Sequence, residues 1–301
     1  MRPMPSRRSH VPRWKIPLVL VVFAAFMAGC DKERIEPLPV DPGTVTLRVE
    51  HYPIDSTDAY PGLINYGWLW GHEEWERPRV YINRNIYPVT LRYYQVENVV
   101  AADAYRAVFP VDIVQKGYDL GSSVKVPVTL PSEQHYYKTS DPLENFIVMP
   151  MGAYMKGNNG MLMFRNLCPL VCVKIKNSSA QHLYFQRLDM RAENTRLSGA
   201  GIATIEGFPT DGIELNADAS HSVTVTTPED EPVRAYASSY GFYYVVVPTF
   251  FSDKVTFTVT TTDGHCYEVT KDNVSAPGNT VTVIELDFAD MTEIVSAELV
   301  D

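Results

Sequence analysis

Apolar and polar residues alternate along much of this chain. The pattern is clear in TVTLRVE (44–50), SVKVPVTL (123–130), SVTVTT (222–227), KVTFTVTTT (254–262) and TVTVIELDF (280–288). In each, every second residue is apolar and its neighbours are Thr, Ser or charged. A period of two predicts β-strands with one face packed and the other wet. YYVVVP (243–248) and MLMFRNLCPLVCVKI (161–175) are more continuously apolar and predict inner strands covered on both faces. Pro131, Gly152, Gly160, Gly199, Gly207, Pro248, Gly264, Pro277 and Gly278 punctuate the gaps. No segment sustains a 3.6-residue period between caps. The reading is an all-β protein.

At 301 residues the chain exceeds a typical single β-sandwich. The poorly patterned connection at 151–160, ending in YMKGNNG, is the best candidate boundary. It divides the chain into 44–150 and 158–290, each long enough for a β-sandwich. Residues 291–301 are left as a tail.

The first thirty residues follow a different logic. Arg2, Arg7, Arg8, Arg13 and Lys15 precede an apolar run at 16–27, then Ala28, Gly29 and Cys30. A basic start and a short apolar run are an export signal, too short for a transmembrane helix. The order Met27, Ala28, Gly29, Cys30 resembles the bacterial lipobox, which implies removal of 1–29 and lipidation of Cys30. Residues 30–43 are charged and proline-rich and read as a tether. Asp31, Lys32 and Glu33 resemble the acidic stretches that carry lipoproteins of the Bacteroidetes to the outer face of the outer membrane. The formal charge of −10 becomes more negative once the basic signal is lost, so nucleic acid is not an expected partner.

Candidate chemistry is sparse. Of the seven histidines, His51, His72, His135, His182, His221 and His265 are scattered without ligand spacing, and His10 lies in the signal. No GxSxG, P-loop or GxGxxG occurs. Glu73 with Glu74, and the acidic run at 229–231, read as solvated loops. The expectation is a non-enzymatic chain without metal or cofactor. Cys168 and Cys172, four residues apart on one strand, share a face but lie too far apart to bond comfortably. Either could meet Cys266 in a disulfide, or all three serve as small buried apolar residues.

Trp68, Trp70 and Trp75 fall within GWLWGHEEWERP at 67–78, with Tyr60, Tyr66, Tyr81 and Tyr87 nearby. Exposed rings of this kind stack on sugars or on partner proteins, such as a ligand on a host or bacterial surface. Trp68 and Trp70 also alternate about Leu69, which equally suits one packed strand face. Both readings stand.

Several segments, in order, carry a family likeness. VAADAYRAVFPVDIV (100–114), KVPVTLPSEQHYY (125–137), FIVMPMGAY (146–154) and MLMFRNLCPLVCVKIKN (161–177) resemble the fimbrillin family of Bacteroidetes surface pilins. The matching positions include 105–110, Leu130, Pro131, Gln134, Tyr136, Pro150, Met151, Ala153, Phe164, Asn166, Leu167 and Cys168. LYFQRLDMRAENTRLSGAGIATI (183–205) and FYYVVVPTFFSDKVTFTVTTTDGHCYE (242–268) continue the likeness, which covers about 100–290. Pro169 departs from the usual glycine, and the tryptophan segment has no family counterpart.

The resemblance implies two tandem transthyretin-like β-sandwich domains on a lipoprotein precursor, assembled into a fimbria. An arginine-specific protease removes an N-terminal segment including the first strand, and a strand from another subunit fills the groove. Candidate cleavage positions are Arg34 in the tether and Arg48 in the first predicted strand, with Arg77, Arg79 and Arg84 further on. The tail offers Ile294, Val295, Ala297, Leu299 and Val300 as a donor strand, or as the last strand of its own domain. The family also includes anchor and tip subunits, and a tip would carry extra binding surface.

Overall fold

The alternating stretches form strands because each presents a continuous apolar row to the interior. The computed structural model describes residues 43–51, 79–89, 95–115, 118, 120, 123–135, 149–157, 160–207 and 210–294. Strands β1 (Thr44–His51), β2 (Arg79–Ile82), β3 (Asn85–Pro88), β4 (Gln95–Val100) and β5 (Ala104–Phe109) come first. Then follow β6 (Lys125–Leu130), β7 (Glu133–His135), β8 (Met151–Lys156), β9 (Met161–Asn166) and β10 (Leu170–Lys176). Next are β11 (Leu183–Ala192), β12 (Gly199–Thr204), β13 (Gly212–Leu215), β14 (Ser222–Thr226) and β15 (Val233–Ala235). The last are β16 (Tyr240–Val246), β17 (Phe250–Thr261), β18 (Cys266–Ala276), β19 (Val281–Asp287) and β20 (Thr292–Ile294). Two 3-10 turns, at Val111–Ile113 and Phe288–Asp290, complete the regular structure of the described residues. The protein is all-β.

A seven-stranded sheet runs in the order β3-β2-β5-β8-β9-β1-β4. Three further sheets have the orders β20-β18-β17-β11-β14-β7, β16-β10-β19 and β13-β12-β6, with β15 also paired to β11. Pairing changes hands between Asn166 and Leu170. Strand β9 still belongs to the seven-stranded sheet, whereas β10 pairs antiparallel with β16 and parallel with β19. Two earlier strands cross over to later partners: β6 pairs with β12, and β7 with β14. These several sheets stack on shared apolar faces, consistent with β-sandwich packing.

The core follows from the periodicity. Tyr105 and Phe164 fill the region of the seven-stranded sheet, while Phe185, Tyr243 and Phe257 fill the later sheets, all fully buried. Each such ring contributes roughly 1.5–3 kcal/mol of burial free energy. In β10 the residues Leu170, Val171, Cys172 and Val173 are all buried, as expected for a strand flanked on both edges and covered on both faces. The β17–β18 hairpin turns through Gly264, whose φ of +88° lies in the left-handed region that costs glycine little.

Candidate functional site

Strand β1 is an inner strand of the seven-stranded sheet. Leu47 and Val49 point into the core and are fully buried, while Arg48 and Glu50 lie on the wet face. Its neighbours are β4, antiparallel, and β9, parallel. Arg48 sits opposite Gln95 on one side and Met161 on the other. Its ion pair with Glu50, at 4.0 Å between largely exposed groups, adds little. A protease accepts an extended, unpaired segment, so Arg48, paired on both sides, is not presented as one while β1 stays in the sheet. Arg34, Arg77, Cys30 and the tether up to Pro42 lie outside the described residues. Arg79 begins β2, and Arg84 occupies the turn between β2 and β3.

At the other end, β20 pairs antiparallel with β18: Thr292 opposite Glu268, Glu293 opposite Tyr267, and Ile294 opposite Cys266. Cys266 is the first residue of β18, so Ile294 lies at the end of that strand next to the β17–β18 turn. An exposed clasp holds the pairing. His265 Nδ1 lies 2.6 Å from Glu293 Oε1. That hydrogen bond, then the charge of Asp263 and the charge of Glu293, raise the His265 pKa above its ordinary value. The Asp263 carboxyl is held low, mainly by the Thr261 hydroxyl that donates to it. Of the tail candidates, only Ile294 falls within the described residues; Val295, Ala297, Leu299 and Val300 do not.

Trp68, Trp70 and Trp75 also lie outside the described residues. Nearby in sequence, a cleft of about 460 Å³ opens between β3 and β4, the first and last strands of the seven-stranded sheet. Asn83, Arg84, Tyr87, Val100 and Asp103 are among its lining residues. The Tyr87 hydroxyl accepts a hydrogen bond from the Val100 backbone N–H at 3.2 Å and spans this seam.

Cys168, Cys172 and Cys266 are free and buried, so they act as small apolar side chains. Burial pushes the Cys168 thiol far up, and pushes that of Cys172 up to about 12 against weaker opposing effects of Tyr244 and Lys174. Neither is a nucleophile at neutral pH. Among the described residues no group of three or more His, Cys, Asp or Glu could hold a metal ion. No helix among them is long and apolar enough to cross a membrane.

No family model matches the chain. No curated protein matches it either. Solved structures similar to it include a candidate cell adhesion protein from Bacteroides ovatus ATCC 8483, at 11% identity and a TM-score of 0.46, covering 83% of this chain and 96% of that one. Another candidate cell adhesion protein, from Bacteroides uniformis ATCC 8492, is 12% identical with a TM-score of 0.45 and the same two coverages, 83% and 96%. The tip fimbrial protein Mfa3 from Porphyromonas gingivalis, truncated at its C-terminus, is 13% identical with a TM-score of 0.29, covering 64% of this chain and 74% of that one.

Proposed function

We propose that the chain is a non-enzymatic structural subunit of a cell-surface fimbria. On this reading it is exported as a lipoprotein through Cys30 to the outer membrane, then activated by proteolysis and joined to other subunits by β-strand complementation. The observation that carries the reading is the inner position of β1 between β9 and β4. Loss of an edge strand would leave one unpaired edge. Loss of β1 leaves two, plus the vacated places of Leu47 and Val49, which together form a groove shaped for one incoming strand. The partly alternating apolar residues Ile294, Val295, Ala297, Leu299 and Val300 would be the donor strand.

The division into two transthyretin-like domains belongs to the same proposal. Strand pairing supports assigning Met151–Lys156 and Met161–Asn166 to the first lobe, and Lys125–Leu130 and Glu133–His135 to the second. A cut at Arg34, upstream of β1, would leave that strand in the chain, so on this reading the cut that frees the groove falls at Arg48 or between β1 and β2, once β1 has left the sheet.

A second reading is a tip or non-polymerising surface lipoprotein that binds a glycan or protein ligand. The pairing of Ile294 with Cys266 of its own chain favours it, since a tail committed to its own sheet donates less readily.

Treating the purified protein with an arginine-specific protease separates the two. A stalk subunit yields a single new N-terminus upstream of β2 by mass spectrometry, followed by SDS-resistant ladders. Clean cutting without ladders, or no cutting, sinks the stalk reading and leaves the second.

A further inference from the structure

Strands β11 and β15 bring together four side chains that no periodicity marks. Leu183 lies opposite Ala235, and Tyr184 opposite Arg234. The same register, continued by one residue, sets His182 opposite Tyr236. Phe185, Val233 and Ala235 of these strands are buried on the inner face, so the alternating residues His182, Tyr184, Arg234 and Tyr236 share the outer face. They form a block of two rows, with the tyrosines on one diagonal and the nitrogen-bearing side chains on the other. All four are exposed, and Tyr236 is 52% accessible despite its large apolar ring.

The block is held in shape from beneath. The His182 ring meets the Tyr236 ring edge-on, with centroids 5.2 Å apart, and the Arg234 guanidinium lies 5.9 Å from the Tyr184 ring centre. The Ala237 N–H donates to His182 Nδ1 at 3.1 Å, which assigns the ring proton to Nε2, free to donate outward. Under the block, the fully buried Asn177 donates from Nδ2 to the carbonyls of Gln181, Ala235 and Tyr236, tying both backbone segments together. Among the described residues, no hydrogen bond or ion pair uses the Arg234 guanidinium or the two tyrosine hydroxyls.

We infer that this block is a binding site for a carboxylate-bearing sugar. A pyranose ring presents a C–H face that packs on an exposed tyrosine ring. The planar Arg234 fork takes a carboxylate with two parallel hydrogen bonds, and His182 Nε2–H donates to a hydroxyl. Ordering four side chains on binding is costly, and here most of that order is already present. The footprint favours a small ring over a protein face. Four side chains fall far short of the ~800 Å² per partner of a stable protein interface. Alongside the block, the same sheet face continues as Arg187 paired to Asp189 and hydroxyl-bearing Thr224 and Thr226, which are polar. The site does not depend on strand exchange.

The test is titration of the purified protein, by calorimetry, with trigalacturonic acid and 3′-sialyllactose, with lactose as the neutral reference. At least one acidic sugar binds saturably and more tightly than lactose. Arg234→Ala and Tyr236→Ala each weaken that binding about tenfold or more, and Tyr236→Phe keeps it, with melting temperatures unchanged. Failure of both acidic sugars to bind overturns the site. So does binding that survives Tyr236→Ala, or equal competition by hexaglutamate, which would reduce the block to plain charge attraction or peptide docking.

Discussion

The side-chain amide of Gln134 bonds the backbone of Val246 as a neighbouring strand would. Its Nε2 donates to the Val246 carbonyl at 2.7 Å, and its Oε1 accepts from the Val246 N–H at 2.9 Å. Gln134 belongs to β7 in the six-stranded path and Val246 ends β16 in a three-stranded sheet, so one amide joins the edges of two sheets.

Replacing Gln134 with Ala orphans both groups of Val246, which is itself nearly inaccessible to water. The expected loss is about 1–3 kcal/mol of unfolding free energy, read from denaturant melts. Gln134→Glu is the sharper probe. Its carboxylate still accepts from the N–H but faces the carbonyl with no proton to give. Protonation restores the donor, so the variant recovers toward wild type as pH falls through its raised pKa. A Gln134→Glu protein whose deficit is constant with pH contradicts the bidentate bond.

Strands β12 and β13 touch through Gly201. A Cβ there would come 2.5 Å from the Glu214 carbonyl oxygen and 2.9 Å from Leu215 Cα. Both are backbone atoms, which cannot swing aside as a side-chain tip can. Gly201→Ala therefore costs about 1–3 kcal/mol by forcing the strands apart. Gly212, in β13, has nothing within 4 Å of its Cβ position, so Gly212→Ala changes stability by less than about 0.5 kcal/mol. Equal thermal shifts for the two variants would refute the close approach.

How much of this was legible in the sequence depends on whether the determinant is local. The strands at 44–51, 125–130, 222–226, 254–261 and 281–287 were readable, because alternation is a property of one segment. Most of β18 was not: Lys271, Asp272 and Asn273 interrupt its alternation, and Asn273 takes a positive φ of 56°. Strand partners carry no periodic signal at all. Nothing in TVTLRVE indicates a parallel neighbour at 161–164, and nothing in KVPVTL points to β12. The same limit hid the block at His182, which exists only through the register of β11 with β15. The spacing of Cys168 and Cys172 predicted one shared strand face, but Cys168 falls in the bend between β9 and β10, where Pro169 interrupts the run, and only Cys172 lies on a strand; the fold leaves both and Cys266 as free thiols.

Asn177 anchors the loop before β11 to the end of β15. It is fully buried, and its Oδ1 accepts from the Ser179 N–H at 2.9 Å and the Ser179 hydroxyl at 2.7 Å while Nδ2 serves three carbonyls. Asn177→Ala leaves several buried polar groups unmatched, with an expected cost of about 2–4 kcal/mol. Asn177→Asp is isosteric, yet it turns a donor into a charge facing carbonyls. It is at least as damaging at neutral pH and improves in acid. Equilibrium unfolding at two pH values checks both, and a neutral Asn177→Ala would remove the anchor.

The clasp between His265 and Glu293 makes the hold on β20 depend on pH, and the sign follows from the raised His265 pKa. A histidine whose folded pKa exceeds its unfolded value stabilises fully when both states are protonated, below an ordinary value of about 6.5. That contribution fades as pH rises through the raised folded pKa. Glu293 and Asp263 are the acidic groups responsible, so both must stay ionised for the effect to persist at low pH. The pairing of Thr292, Glu293 and Ile294 with β18 should therefore be firmer at pH 6 than at pH 9. Amide exchange, corrected for its intrinsic base catalysis, measures this at Glu293 and Ile294. His265→Gln should flatten the pH dependence while leaving β17 and the rest of β18 protected. If the tail must leave β18 to reach another subunit, as the strand-exchange reading requires, release becomes easier toward alkaline pH. Ladder formation after proteolysis should then speed up between pH 6 and 9 in the wild type and not in His265→Gln. A pH-independent tail in both proteins would mean that main-chain pairing alone holds β20 and that the clasp is incidental.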